Sequence, residues 1–363
     1  MDRRQYLTIT AGIMMSAFLF VPIMEFVDAN DYNILSTDPT TGLYRYIQNS
    51  SFRTTSDCYE NTVVVNNLGF HGPQVSPEKG KNTFRIILIG SSYVSAIQVP
   101  VEAMFSRILE EKLNADPSRP YTYEVIPIAI GGQSKMLLDI FYYLKYGSVL
   151  NPDLVIDVES GNELIDEHTI DTSVLDAQGN IVVQTPKGSE SKTVAFVRAV
   201  SRNSKFLVNL YNRTLIFKSN LESFFSAPFA STAPPPLVPD SIMAKKHAEA
   251  EQVLWQNKEK MLSTFAKYVE KDGAQFLYAS WTGSWVATGT AAEFPQYGQK
   301  IAERNNFHYV DLVPVFQSEE AASGRQGTYT CDTHWNSEGN RYSADAFFLY
   351  LTDHPVLLSR KSL

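Results

Sequence analysis

Between residues 84 and 160 the chain alternates two textures. The stretches "FRIILIG" (84–90), "YTYEVIPIAI" (121–130) and "PDLVIDVES" (152–160) are short, mostly apolar, and each ends at or beside glycine. Apolar runs of that length, bounded by turn residues, are the pattern of strands buried on both faces. Between them, "VEAMFSRILEEKL" and "SKMLLDIFYYLKYG" carry apolar residues at helical spacing. Strand, helix, strand, helix, strand predicts βαβ units and a parallel sheet with helices on both faces. Gly90, Gly131-Gly132 and Gly161-Asn162 then fall at the carboxyl edge of the sheet, where ligands bind beside a topological switch.

The alternation stops after residue 163. Residues 164–240 read as an insertion at that edge, closing with the proline-rich connector "SAPFASTAPPPLVPD". The pattern then resumes. A long helix is expected from Ser241 to about Lys271, a strand in "AQFLYAS", a helix in "AAEFPQYGQKIAERN" and a last strand in "FHYVDLVPVF". An apolar helix in "SEGNRYSADAFFLYL" follows. Upstream, residues 31–80 read as loop and edge strands packed on a domain that spans 81–355.

The N-terminus has its own pattern. Arg3 and Arg4 precede an apolar run from about Leu7 to Met24, and Glu25, Asp28 and Asp31 follow it. That length lies at the lower limit for a membrane span, and the charge order leaves the body outside the cytoplasm. Residues 1–30 are therefore read as a membrane anchor, with a cleaved signal as the alternative. Either way the domain is periplasmic or extracellular.

Composition narrows the partners. Hydrophobic content of 44% with 19% charged residues describes a chain able to bury a sizeable core. A net charge of −8 disfavours nucleic acid, which needs a basic surface. Cys58 and Cys331 are too few for a disulfide scaffold. They could form one bridge in an exported protein; two unpaired buried thiols are the preferred reading.

Candidate chemistry gathers at the predicted strand ends. Ser92 opens the turn after the first strand, where its own N–H sits near the start of a helix. Gly132 and Asn162 follow the second and third strands and can offer a backbone N–H and a side-chain amide. Near the C-terminus "CDTHWN" places Asp332 two residues before His334. In an extended segment the acid can accept from the imidazole and orient it as a base. Each stretch alone is also what a cap or tight turn looks like. All four in one order on one sheet supply a nucleophile, donors for an oxyanion and an oriented base. His71, His168, His247, His308 and His354 have no metal-ligand spacing.

These blocks resemble the SGNH, or GDSL-like, hydrolase superfamily. The resemblance runs from about Asn66 to Leu351 across "NNLGFHGP", "FRIILIGSSYVSAIQVP", "IAIGGQS", "PDLVIDVESGNEL" and "DTHWNSEGNRYSADA", interrupted by the insertion. It implies a flavodoxin-like three-layer α/β/α sandwich that cleaves or transfers acyl esters without a metal or organic cofactor. Ser92 falls on the nucleophile, Ser92, Gly132 and Asn162 on the oxyanion donors, and Asp332 and His334 on the acid and base. Ser91 stands where the name-giving Asp usually is, Glu163 where an Asp is common, and the acid and base are separated by one residue where many members have two. The Asp-Thr-His-Trp form is similar to that of periplasmic alginate-type O-acetyltransferases.

Trp281, Trp285 and Trp335 complete the list, as flat surfaces at the sheet edge suited to a sugar ring. The leading expectation is an exported, membrane-tethered serine esterase acting on acyl esters, O-acetyl groups on polysaccharide foremost. Transfer of the acyl group to a polysaccharide hydroxyl is the runner-up. An inactive SGNH-like binding or assembly subunit is the third reading.

Overall fold

The computed structural model describes residues 34–38, 41, 43–131, 136–160, 240–282 and 294–360. The chain divides into two compact units, residues 1–35 with 185–243, and residues 36–184 with 244–363. Nearly all of the first unit, including the apolar run 7–24 and most of the insertion, lies outside the described residues. Among the described residues no helix is long and apolar enough to cross a membrane.

The second unit is built on five parallel strands: β5 (Thr83–Gly90), β6 (Thr122–Ala129), β7 (Leu154–Ser160), β8 (Gln275–Trp281) and β9 (His308–Asp311). Their spatial order is β6-β5-β7-β8-β9. Counted within the sheet this is 2-1-3-4-5, the flavodoxin-like order, whose switch point lies between the first and third strands. Here that point is the β5/β7 pair, registered by Gly90 opposite Val158. The apolar runs pair as the sequence pattern requires: Ile86 to Ile89 of β5 and Leu154 to Ile156 of β7 are wholly buried.

One face is covered by α2 (Phe105–Asn114), α6 (Val313–Ser323) and α7 (Ser337–Asp353). Phe105, Leu109, Phe316, Tyr342 and Phe347 join Ile86, Leu88, Ile156 and Leu277 there in one apolar cluster. The other face carries α3 (Met136–Tyr142), α4 (Asp240–Lys271) and α5 (Phe294–Asn305). Phe265 of α4 lies with its ring centre 5.5 Å from Tyr143 and 5.2 Å from Phe276 of β8. The three-layer sandwich expected from the sequence is the architecture observed.

Two elements take a form that the sequence pattern left open. "FHYVDLVPVF" is a strand only as far as Asp311; from Val313 it turns into α6, with Pro314 in the first helical turn, where its missing N–H costs nothing. Residues 51–64, expected as part of a loop and edge-strand region, form an antiparallel hairpin of β3 (Ser51–Ser56) and β4 (Tyr59–Val64). Upstream of it lie the short strands β1 (Leu35–Thr37) and β2 (Tyr44–Tyr46).

A buried polar network sits under α4. Lys258 of α4 bonds Glu159 of β7, and the Tyr278 hydroxyl donates to the same carboxylate. Asp157 shares that face, and burial, with Glu159 beside it, pushes its carboxyl well above the usual range.

Candidate active site

β5 ends at Gly90, and the chain turns sharply into α1 (Ser92–Ser95). Gly90 has φ of 150°, and a Cβ there would meet the Val158 carbonyl oxygen at 2.3 Å. Only glycine lets β5 run this close to β7 and then turn. Val94 and Ser95 both donate to the Ser91 carbonyl, so the Ser92 N–H precedes the bonded part of the turn. Ser91, one residue earlier, is buried.

The acid and base come from a tight loop ahead of α7. Thr328 bridges Trp335, Tyr329 N–H donates to the His334 carbonyl at 3.1 Å, and Asn336 N–H donates to Gly327 at 3.1 Å. The Asn336 side chain accepts from Gly339 N–H at 3.0 Å as the N-cap of α7 and donates to the carbonyls of Gln326 and Thr328. His334 is thereby held at the mouth of a rigid helix.

Across 242 residues of sequence, His334 Nε2 lies 2.7 Å from Ser92 Oγ. His334 Nδ1 lies 2.5 Å from Asp332 Oδ1, and the His334 backbone N–H donates to the same oxygen at 3.2 Å. An ionised carboxylate only accepts, so Nδ1 carries the proton and Nε2 is left to accept the Ser92 O–H. Three sequence-predicted residues thus meet as hydroxyl, imidazole and carboxylate, with His334 and Asp332 partly open to solvent.

Of the expected oxyanion donors, Ser92 stands as described, while Gly132 and Asn162 lie outside the described residues. Gly131, just before Gly132, is at the site: a Cβ on it would come 4.0 Å from Ser92 Cβ. Its N–H donates to the Tyr46 hydroxyl at 3.4 Å, and the same hydroxyl is 3.2 Å from Ser95 Oγ. His71 donates from Nδ1 to the Ser95 carbonyl at 3.1 Å, and burial lowers its pKa to about 4. It is a neutral core histidine behind α1.

The tryptophans need correction. Trp281 and Trp335 are only 5% and 2% exposed. Their rings lie 5.8 Å apart and both pack on Phe316, so they belong to the core and offer no open face to a sugar. Trp285 lies outside the described residues. The cysteines differ as well: Cys58, at the hairpin tip, is bonded to Cys331, with their Cα atoms 5.9 Å apart. The preferred reading of two unpaired thiols is therefore overturned. No motif marked Tyr93, whose ring packs 5.3 Å from His334 and 4.9 Å from Trp335.

No family model and no curated protein matches the sequence. Among solved structures, the chain is similar to TesA at 14% identity, covering 74% of this chain and 98% of that one, with a TM-score of 0.41. It is also similar to a G-D-S-L family lipolytic protein from Veillonella parvula (9% identity, 74% and 98% covered, TM-score 0.41). A third is a catalytic mutant of Axe2, an acetylxylan esterase from Geobacillus stearothermophilus (11% identity, 76% and 95% covered, TM-score 0.40).

Proposed function

We propose that this chain is a serine esterase of the SGNH type. The observation that carries the reading is the unbroken relay from Ser92 Oγ through His334 to Asp332, at 2.7 and 2.5 Å. Ser92 Oγ attacks the acyl carbonyl carbon while His334 Nε2 takes its proton. Asp332 holds the ring and stabilises the imidazolium that forms. The Ser92 N–H, with Gly132 N–H and the Asn162 amide as the further expected donors, receives the charge developing on the carbonyl oxygen. The imidazolium returns its proton to the departing alcohol, leaving an acyl-serine. Water, deprotonated by the same Nε2, then releases the acid and restores Ser92.

Acyl esters are the substrate class, with O-acetyl groups on carbohydrate the first to test. That choice leans on the resemblance of the Asp-Thr-His-Trp block alone, since the burial of Trp281 and Trp335 removes the aromatic argument for a sugar. We also place the domain outside the cytoplasm, tethered by residues 1–30. The Cys58–Cys331 bond supports an oxidising compartment.

The test is product analysis with an acetyl ester, with and without an acetylated or free glycan. Release of acetate that disappears in Ser92→Ala supports the esterase. Acetyl appearing on the glycan in place of free acetate would make the enzyme a transferase, and no turnover of any ester would favour an inactive subunit.

A further inference from the structure

Tyr46 closes β2, outside the parallel sheet, yet it is only 2% exposed and its hydroxyl reaches two elements of the candidate site. It accepts the Gly131 N–H at 3.4 Å and lies 3.2 Å from Ser95 Oγ, in the helix that Ser92 opens. Gly131 in turn stands against Ser92: a Cβ built on it would come 3.7 Å from the Tyr46 hydroxyl and 4.0 Å from Ser92 Cβ. The tyrosine is itself well held. Its backbone N–H donates to Gly69 at 2.9 Å, and its ring packs on Phe52 with centres 5.1 Å apart. The Tyr142 hydroxyl of α3 donates to the Tyr44 carbonyl at 2.6 Å, fixing β2 from the other end.

We propose that Tyr46 is a positioning residue that ties the turn after β6 to the helix carrying the nucleophile, fixing the Gly131 peptide beside Ser92. The catalytic consequence rests on the esterase reading, in which Gly132, the next residue, is an expected oxyanion donor; the tie itself does not. Gly131 and Gly132 have no side chains to anchor them, and glycine has the freest backbone of any residue. An N–H aimed at a developing oxyanion works only within about 0.5 Å of the right place, so the preceding peptide has to be pinned from elsewhere. A tyrosine suits this. Its oxygen can accept from Gly131 and donate to Ser95 at once, and burial raises its pKa, which keeps the proton on it. A phenylalanine fills the same space and pins nothing.

The decisive variant is Tyr46→Phe, with rates expressed per active site counted by fluorophosphonate titration, so that loss of fold and loss of rate separate. We expect kcat on an aryl acetate to fall about three- to tenfold with KM unchanged, as the loss of one buried hydrogen bond allows. The inhibition constant of an alkyl boronic acid, whose tetrahedral adduct on Ser92 occupies the same hole, should rise by the same factor. The Gly131 amide should exchange with deuterium faster than in the wild type, and by a larger factor than the amides of β5. Should Tyr46→Phe not fold, Ser95→Ala removes the other partner of the hydroxyl and should lower kcat per site about two- to threefold. Unchanged kcat per site and unchanged boronate inhibition, in whichever of the two variants folds, would overturn the proposal. A wild type that neither hydrolyses esters nor takes the label would sink the esterase reading. The Gly131 exchange rate would then decide the tie alone: faster in the variant upholds it, unchanged overturns it.

Discussion

Tyr93, the residue after the candidate nucleophile, donates its hydroxyl to the carbonyl of Thr333, the residue before the candidate base, at 3.2 Å. The two halves of the relay, 242 residues apart in sequence, are thus tied side by side as well as through the Ser92–His334 bond. The tie predicts a graded response. Tyr93→Phe keeps the buried ring on His334 and Trp335 and should lower kcat several-fold with little change in melting. Tyr93→Ala opens a cavity beneath His334 and should cost about 3–5 kcal/mol, read by denaturant unfolding.

Gly90 is a second point where fold and site are one. Its φ of 150° and the 2.3 Å approach of any Cβ to Val158 leave no room for a side chain. Gly90→Ala should destabilise the domain by at least about 2 kcal/mol and displace Ser92, so activity should fall further than stability alone explains. Parallel melting and ester-hydrolysis measurements check both.

The buried pair under α4 gives a different expectation. Lys258→Ala removes the cation that Glu159 and Asp157 face, and should destabilise by roughly 3–5 kcal/mol by leaving the carboxylate unpaired. A Lys258→Met, Glu159→Leu double variant should recover much of that loss. Denaturant midpoints of the three proteins decide it.

His71 predicts a pH dependence. Its folded pKa is lowered to about 4, below the ordinary value of 6.5, so the unfolded chain binds its proton first as pH falls. The stability tied to its neutral form is therefore complete above pH 6.5 and is lost progressively towards pH 4, amounting to as much as roughly 3 kcal/mol. A His71→Asn variant should show a flatter melting temperature across that window than the wild type does.

Much of this was legible in the residue pattern, for physical reasons. Strands such as "FRIILIG" announce themselves because both faces are buried, and the site residues Ser92, Asp332 and His334 sit where a parallel sheet must gather its loops. What escaped depended on information a linear pattern lacks. The apolar run through Val313 and Val315 fits strand and helix equally, and only Pro314 hinted at the helix start. Trp281 and Trp335 lie near the predicted edge, but the direction of each side chain decides between substrate and core. Cys58 and Cys331 are 273 residues apart, so their pairing follows from where the hairpin docks. Tyr46 and Tyr93 belong to no motif; each bonds through a hydroxyl whose partner is set by tertiary packing.

In the proposed esterase Ser92 is the nucleophile and His334 activates it. Fluorophosphonate labelling followed by peptide mass analysis tests it most directly. One adduct is expected, on Ser92, absent in Ser92→Ala and slowed at least about a thousandfold in His334→Ala. An adduct that persists in Ser92→Ala, moved to Ser91 or elsewhere, or a wild type that takes no label at all, would contradict it.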